Sequence, residues 1–484
     1  MSSLKKQALH GAFWSFAERF GQQGVQLVVS IILARLLEPK DFGVLGMIMI
    51  FVALAQSVID SGFGQALIQK QDADHTDEST VFWFNILVGL CMAGFLFLSA
   101  PWIAVFYGVP LLKPITQVFS LNLIINSFGI VQNALLNKEL AFKKRMQATV
   151  VSVIISGLVG IVMAYLGFGV WALVAQGLVM NGVRTAGLWV VHPWRPVYVF
   201  STKSLRDLWR FGSNLLFSGL LDTFFENIYL VIIGKIYSAT DLGFYQRGKQ
   251  LMMLTSQSIS KVVQQVNFPL LSKIQNDPVR MQRAFCKVLQ STMLVILPMM
   301  AGLAAVAPNF IYCLFGEKWM PCVPYFQVLC VVGIFFPVHL LNLNVIMALG
   351  RSDLFFRLEL IKKVLVVLLI AFTFRYGVMM MLWGQVVLSI LGLGINTFYT
   401  HRFIGCGLFA QFNVIRKTVV ASVAMAWAVW GAGNELHMAP LMELILQAIF
   451  GGMMFVVLAW VLKESVLREG FAILWAGIKR KFSE

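Results

Sequence analysis

This sequence predicts an all-α polytopic membrane protein of about 14 transmembrane helices, on three observations. Hydrophobic residues make up 59% of its 484 positions and charged residues only 12%, whereas a soluble domain carries about 25% charged residues. Apolar runs of roughly 20 residues, enough to cross a bilayer, recur along nearly the whole chain. The basic residues gather in alternate short loops between those runs, as the positive-inside rule requires. No stretch is long and polar enough to fold as a separate soluble domain.

In order, the spans are expected near 11–37, 42–68, 80–106, 112–137, 146–167, 170–191, 205–235, 242–271, 284–307, 323–349, 354–374, 378–400, 416–434 and 440–462. Lys5 and Lys6 precede a first segment that runs to Leu37 without a small-residue cleavage site, so it reads as an uncleaved span. One set of loops holds Lys138, Lys143, Lys144, Arg145, Arg195, Arg280, Arg283, Arg351, Arg402, Arg416 and Lys417. The other set holds little beyond Lys40, Lys113, Lys318 and Arg375. Both termini are therefore expected in the cytoplasm. The same distribution explains the +16 net charge without nucleic acid as a partner. In the tail, Leu467, Phe471, Leu474, Ile478 and Phe482 recur at helical spacing, with Lys479, Arg480 and Lys481 near the end. That suits an amphipathic helix on the anionic inner leaflet, with a disordered tail as the alternative.

Six cysteines show no CxxC or metal-ligand spacing and six histidines are scattered singly, so neither metal nor cofactor is expected. Cys313 and Cys322 flank an expected outside loop and are the one pair placed for a disulfide. Ordinary small apolar packing residues are the other reading.

An internal echo organises the chain. ILARLLEPKDFGVLG (32–46) resembles IGKIYSATDLGFYQR (233–247) at a shift of 200 residues without gaps. Arg35 then meets Lys235, Asp41 meets Asp241, Gly43 meets Gly243 and Gln65 meets Gln265. Spans 1–2 thus correspond to spans 7–8, an even separation that preserves orientation. Two six-helix bundles related as parallel repeats follow, at 1–200 and 201–400, with two extra transmembrane helices at 401–462 and the tail at 463–484.

Glu18, Gln22 and Gln26 lie at i, i+4, i+8 on one helix face, and the same register in the repeat holds Ser218, Asp222 and Glu226. An ionised group facing lipid at the bilayer centre costs about 2.5–3.5 kcal/mol. Both stripes are therefore expected to face a protein interior or a water-filled cavity. Span 2 adds Gln56, Asp60 and Gln65, span 6 adds Arg184, and span 8 adds Arg247, Lys249 and Gln250. In RLELIKK, Glu359 and Lys363 are expected to neutralise each other at i, i+4, leaving Lys362 to project elsewhere. Local ion pairs explain Glu18 beside Arg19 equally well, and Arg35 and Lys235 fit snorkelling to head groups.

No Walker loop, HExxH or GxSxG is present, so neither ATP hydrolysis nor a familiar hydrolase constellation is expected. Matched polar walls without catalytic groups point to a transporter, not an enzyme. LGFYQRGKQLMML, VNFPLLSKIQND, LFGEKWMPCVPYFQVLC and MALGRSDLFFRLELIKK, in that order, resemble signatures of the polysaccharide transporter (Wzx-like flippase) family. This family lies within the multidrug/oligosaccharidyl-lipid/polysaccharide exporter superfamily, and the resemblance is to its colanic-acid/teichuronic-acid exporter branch in particular. It runs from the first span to at least residue 400. It implies two six-helix bundles in a V shape plus two C-terminal helices. It also implies transfer of an undecaprenyl-pyrophosphate-linked oligosaccharide (an exopolysaccharide, capsule or O-antigen repeat unit) across a bacterial inner membrane by alternating access. Polysaccharide polymerase and export machinery would be further partners.

The family has no strict signature at single positions, so the resemblance carries over by span. On the polar pattern, Arg184, Arg247, Lys249 and Lys362, with Gln22 and Gln26, are the candidates for holding an anionic head group. Glu18, Asp60, Asp222 and Glu226 are the candidates for a coupling ion, or partners of those cations. A drug/cation antiporter of the same superfamily would need a more acidic cavity. A membrane-embedded glycan polymerase would need a larger outside loop than 307–322, whose only charges are Glu317 and Lys318.

Overall fold

A computed structural model of the protein describes residues 21–60, 63–70, 72–435, 438–464 and 466–468. Glu18, Arg19 and the expected amphipathic stretch from Phe471 onward lie outside them. The described residues are helical, and no strand occurs among them. Ten of the described helices are long and apolar enough to cross a membrane. Each expected span overlaps helix among the described residues, that at 112–137 as three short helices, and the all-α polytopic class is the observed one.

The chain divides into two compact units, Met1–Gly243 and Phe244–Glu484. In the first unit, the described part of α1 covers residues 21–36. Then come α2 (Pro39–Asp60), α3 (Phe63–Gln69), α4 (His75–Tyr107), α5 (Leu112–Phe119), α6 (Leu121–Ser127) and α7 (Ile130–Lys138). The unit continues with α8 (Phe142–Tyr165), α9 (Val170–Val191) and α10 (Thr202–Ile236), and α10 packs on α2, α3 and α4. The helix α11 (Ala239–Lys273) leads into the second unit. That unit holds α12 (Pro278–Ala305), α13 (Ala307–Phe315), α14 (Cys322–Ala348), α15 (Ser352–Thr373), α16 (Val378–Ile404), α17 (Leu408–Glu435) and α18 (Pro440–Val461).

Helix packing follows side-chain size. In lipid no hydrophobic drive separates helix from tail, so small residues that allow close backbone approach mark the interfaces. On α8, Ala148, Ser152, Ser156, Gly160 and Ala164 recur every fourth residue and are all buried. They meet α9: a Cβ on Gly160 would stand 3.1 Å from Gln176, and one on Gly187 3.0 Å from Ala148. In the second unit, Met281, Phe285, Leu289, Met293 and Leu297 form one α12 ridge at the same spacing. It packs on Val338, Leu341, Val345 and Ala348 of α14.

The repeat register appears in the helix ends. The helix at 21–36 ends 200 residues before Ile236, and α2 begins at Pro39 where α11 begins at Ala239. Both second helices are capped at the same place: Asp41 accepts from Glu38 N at 3.0 Å, and Ser238 Oγ accepts from Asp241 N at 3.0 Å. A reciprocal contact joins the two starts. A Cβ on Gly43 would lie 1.6 Å from the Ala239 carbonyl oxygen, and one on Gly243 2.0 Å from that of Pro39. Only glycine leaves room for these backbone contacts.

None of the six cysteines is in a disulfide, so Cys313 and Cys322 are not bonded, and Cys322 Sγ donates to the Phe244 carbonyl at 3.2 Å.

Candidate functional site

The segment 112–138 does not run as one helix. It breaks at Ser120 and again at 128–129, between α6 and α7. A helix end leaves its last carbonyls without intrahelical donors, and inside a membrane other protein groups must supply them. Here Ser127 Oγ donates to Ile124 O at 2.7 Å and Gly129 N to Asn126 O at 2.9 Å. The helix α9 adds donors at every fourth residue: Thr185 Oγ1 to Ile125 O at 3.2 Å and Trp189 Nε1 to Phe128 O at 2.9 Å, with Asn181 Nδ2 to the side-chain Oδ1 of Asn122 at 3.0 Å. Thr185→Val removes one donor and is expected to cost about 1 kcal/mol, read as a lower thermal unfolding midpoint. Thr185→Ser should keep most of the wild-type midpoint.

This break helps shape a cavity of about 480 Å³ inside the first unit. Ser57 and Asp60 line it from α2, Gly64, Gln65 and Ile68 from α3, Asn126 from α6 and Asn133 and Asn137 from α7. Arg184, Thr185 and Leu188 of α9 and Leu216 of α10 close it. The short helix α3 has two faces. Phe63, Ala66 and Leu67 enter a core cluster with Phe82, Leu135 and Trp194, which turns Gln65 toward the cavity. Most lining residues lie in the helix portions next to Lys70, Lys138 and Arg195, the expected cytoplasmic end.

Polar chemistry dominates the site. Asp60 accepts from Gln56 Nε2 at 3.0 Å and lies within reach of the Arg184 charge. Asn133 Oδ1 is buried without a hydrogen-bond partner, an acceptor held for a donor that the protein does not supply. Asn137 Oδ1 accepts from Arg145. Arg184 and Asp60 are the charged groups among the described lining residues. The remainder are amides, hydroxyls and apolar walls.

Below the cavity, the loop after α9 is stitched down. Arg195 donates to the carbonyls of His192, Trp194 and Trp189 at 2.8–3.0 Å, so it closes the end of α9 as well as adding positive charge to the loop. Lys138 Nζ donates to Lys70 O at 2.9 Å, and Lys70 pairs with Asp77. That hydrogen bond holds the Lys70 ammonium above its ordinary pKa.

The other sequence-predicted residues are spread through both units. Gln22 is half-buried and Gln26 exposed on α1; Asp222 and Glu226 are exposed on α10. In the second unit Arg247 is only 5% exposed. Its guanidinium stands 5.6 Å from the ring centres of both Phe315 and Trp319 and donates to Gln250 Oε1 at 2.8 Å. Such an aromatic nest stabilises a buried cation. Arg247→Ala is expected to lower stability by about 2–4 kcal/mol, checked by thermal unfolding, because it removes packing and the cation–π pair together. Lys249 Nζ lies 5.9 Å from the Tyr245 ring centre. On α15 Glu359 pairs with Lys362, at i, i+3, so Lys362 does not project away from it as expected. Its stem lies near Gly392 and His339.

Sequence reasoning missed Ser57, Asn126, Asn133, Asn137 and Thr185 as wall residues. Their signal was weak: Asn126, Asn133 and Asn137 fall at i, i+7, i+11, one face of a helix, but uncharged amides in a span read as packing.

The teichuronic acid biosynthesis protein TuaB of Bacillus subtilis (strain 168) is 28% identical over 434 residues, covering 89% of this chain and 90% of that protein. The lipopolysaccharide biosynthesis protein WzxC of Escherichia coli (strain K12) is 28% identical over 365 residues, covering 75% and 74%. The lipid II flippase MurJ, in an inward closed conformation, has the same fold, with a TM-score of 0.76 at 13% identity over 94% of this chain and 100% of that one. A family model described as polysaccharide biosynthesis protein matches residues 32–324, more than half of the sequence, and this chain belongs to that family.

Proposed function

We propose that the protein is a flippase for a lipid-linked oligosaccharide, which moves a polyprenyl-pyrophosphate-bearing glycan across a bacterial inner membrane. It performs no covalent step of its own. The observation that carries this reading is the wall composition of the first unit's cavity. One arginine, one aspartate and a set of amides and hydroxyls sit among membrane-crossing helices. A pyrophosphate needs a cation with fork geometry, and sugar hydroxyls need neutral donors and acceptors. In a low-dielectric site the attraction between Arg184 and phosphate far exceeds its value in water. The lipid tail stays in the bilayer while the head group enters. The relatives' names, which speak of teichuronic acid and lipopolysaccharide biosynthesis, support the same substrate class.

Asp60 stands where it can compensate Arg184 in the empty cavity and yield it to phosphate. A coupling proton or sodium ion would then be taken up at Asp60, with Asp222 and Glu226 as further carboxylates for it. A drug/cation antiporter would need a cavity richer in acids than the single Asp60 among the described lining residues. The basic loops support an orientation with both termini in the cytoplasm. The test is translocation of a radiolabelled undecaprenyl-pyrophosphate oligosaccharide in proteoliposomes. Protein-dependent transfer between leaflets supports the reading; transfer no faster than in protein-free vesicles would overturn it.

A further inference from the structure

A second basic site lies in the other unit, far in sequence from any group used above. A pocket of about 510 Å³ is lined by Arg283, Lys287 and Gln290 of α12 and by Asn413, Arg416 and Lys417 of α17. The three α12 residues are at i, i+4, i+7 and the three α17 residues at i, i+3, i+4, so each helix turns one polar face to the pocket. The two helices pack together and start at the same end of the unit, the end that carries Lys273, Arg280 and Arg402. Positive-inside counting explains why cations lie near this level. It does not explain why two from each helix converge on one hollow.

We infer that this pocket binds the head group of an inner-leaflet phospholipid carrying two phosphates, as cardiolipin does. Two cations on each helix match two phosphodiesters. Among the described residues, the buried Glu464 accepts from Gln290, and Lys417 Nζ donates to Lys463 O at 3.1 Å. Further along α17 the face that carries Asn413, Arg416 and Lys417 becomes apolar, with Val420 and Val423 57% and 61% exposed. A head group at the cations therefore sets its acyl chains at the depth of exposed aliphatic side chains. A soluble diphosphate would leave that apolar surface unused, which favours the lipid. Basic pockets between membrane helices at the cytoplasmic face suit such head groups.

The test uses the full-length protein in neutral detergent and native mass spectrometry with tetraoleoyl cardiolipin, dioleoylphosphatidylcholine and inorganic pyrophosphate as probes. Cardiolipin is expected to bind at least about tenfold more tightly than phosphatidylcholine. The variant Arg283→Gln, Lys287→Gln, Arg416→Gln, Lys417→Gln should lose at least about tenfold of that affinity. The charge-preserving variant Arg283→Lys, Lys287→Arg, Arg416→Lys, Lys417→Arg should keep cardiolipin ahead of phosphatidylcholine. In the wild-type protein, cardiolipin should protect Lys287 and Lys417 from an amine-acylating reagent and leave Lys113 reactive. Equal affinity for the two lipids, an unchanged neutral variant, or no protection of these two lysines would overturn the assignment. Pyrophosphate displacing cardiolipin at equal concentration would reassign the pocket to a soluble diphosphate.

Discussion

Arg184→Gln is expected to cut translocation of a pyrophosphate-linked oligosaccharide by about tenfold to hundredfold, with the protein still folded. The figure follows from losing a charge-assisted hydrogen-bond partner worth about 1.5–3 kcal/mol, at about 1.4 kcal/mol per factor of ten. Glutamine keeps much of the stem and two donors, so the walls around Thr185 and Leu188 stay packed. Arg184→Lys should fall between the two, since an ammonium keeps the charge but loses the planar fork. Asp60→Asn is expected to act with the opposite sign on binding: without its competing carboxylate, Arg184 holds the head group more tightly. Release then slows, so binding rises while turnover falls. Measuring retention of labelled substrate beside initial rates in proteoliposomes separates the two variants. Equal effects of Arg184→Gln and Asp60→Asn on both quantities would deny the exchange between them.

The second large effect is at the repeat contact. Gly243→Ala places a methyl group 2.0 Å from the Pro39 carbonyl oxygen, and Gly43→Ala one at 1.6 Å from that of Ala239. Neither contact is with a flexible side-chain end, so the backbones must separate. A cost of about 1–3 kcal/mol or more follows from overpacking of this kind. Both variants should unfold several degrees below wild type. Gly94→Ala is the control, because nothing lies within 4 Å of its added Cβ, and a helical alanine is favoured over glycine by about 0.5–1 kcal/mol. A Gly243→Ala protein with the wild-type midpoint would show that the close approach is not part of the folded state.

Much of the fold was legible because its determinants are local. Run length set the spans, and the 200-residue echo anticipated the two helix starts at 39 and 239. The contact of Gly43 and Gly243 with each other's helix start was not legible, since no pattern says which glycine meets a backbone. The site was legible only in its charges. Asp60, Gln65 and Arg184 stand out because a charge or amide in an apolar run is costly. Their meeting depends on the break between α6 and α7, which no proline marks. Its stability comes from Asn181, Thr185 and Trp189, some 60 residues later in the chain. Arg247 shows the converse. Its charge suggested an open cavity, but Phe315 and Trp319, distant in sequence, enclose it. On α15 the i, i+3 pairing of Glu359 with Lys362 was not legible, because two spacings were geometrically allowed and only local packing selects between them.

The claim that the first unit's cavity holds the substrate head group is tested most directly by photo-crosslinking. A benzophenone amino acid would replace Asn133, whose buried Oδ1 is unpartnered at the cavity wall. In parallel it would replace Trp427, which is 75% exposed on α17. With radiolabelled undecaprenyl-pyrophosphate oligosaccharide in proteoliposomes, a strong adduct is expected at 133, diminished when Arg184→Gln is added, and little at 427. Adducts of equal yield at the two positions, or an adduct at 133 indifferent to Arg184, would contradict the cavity's role.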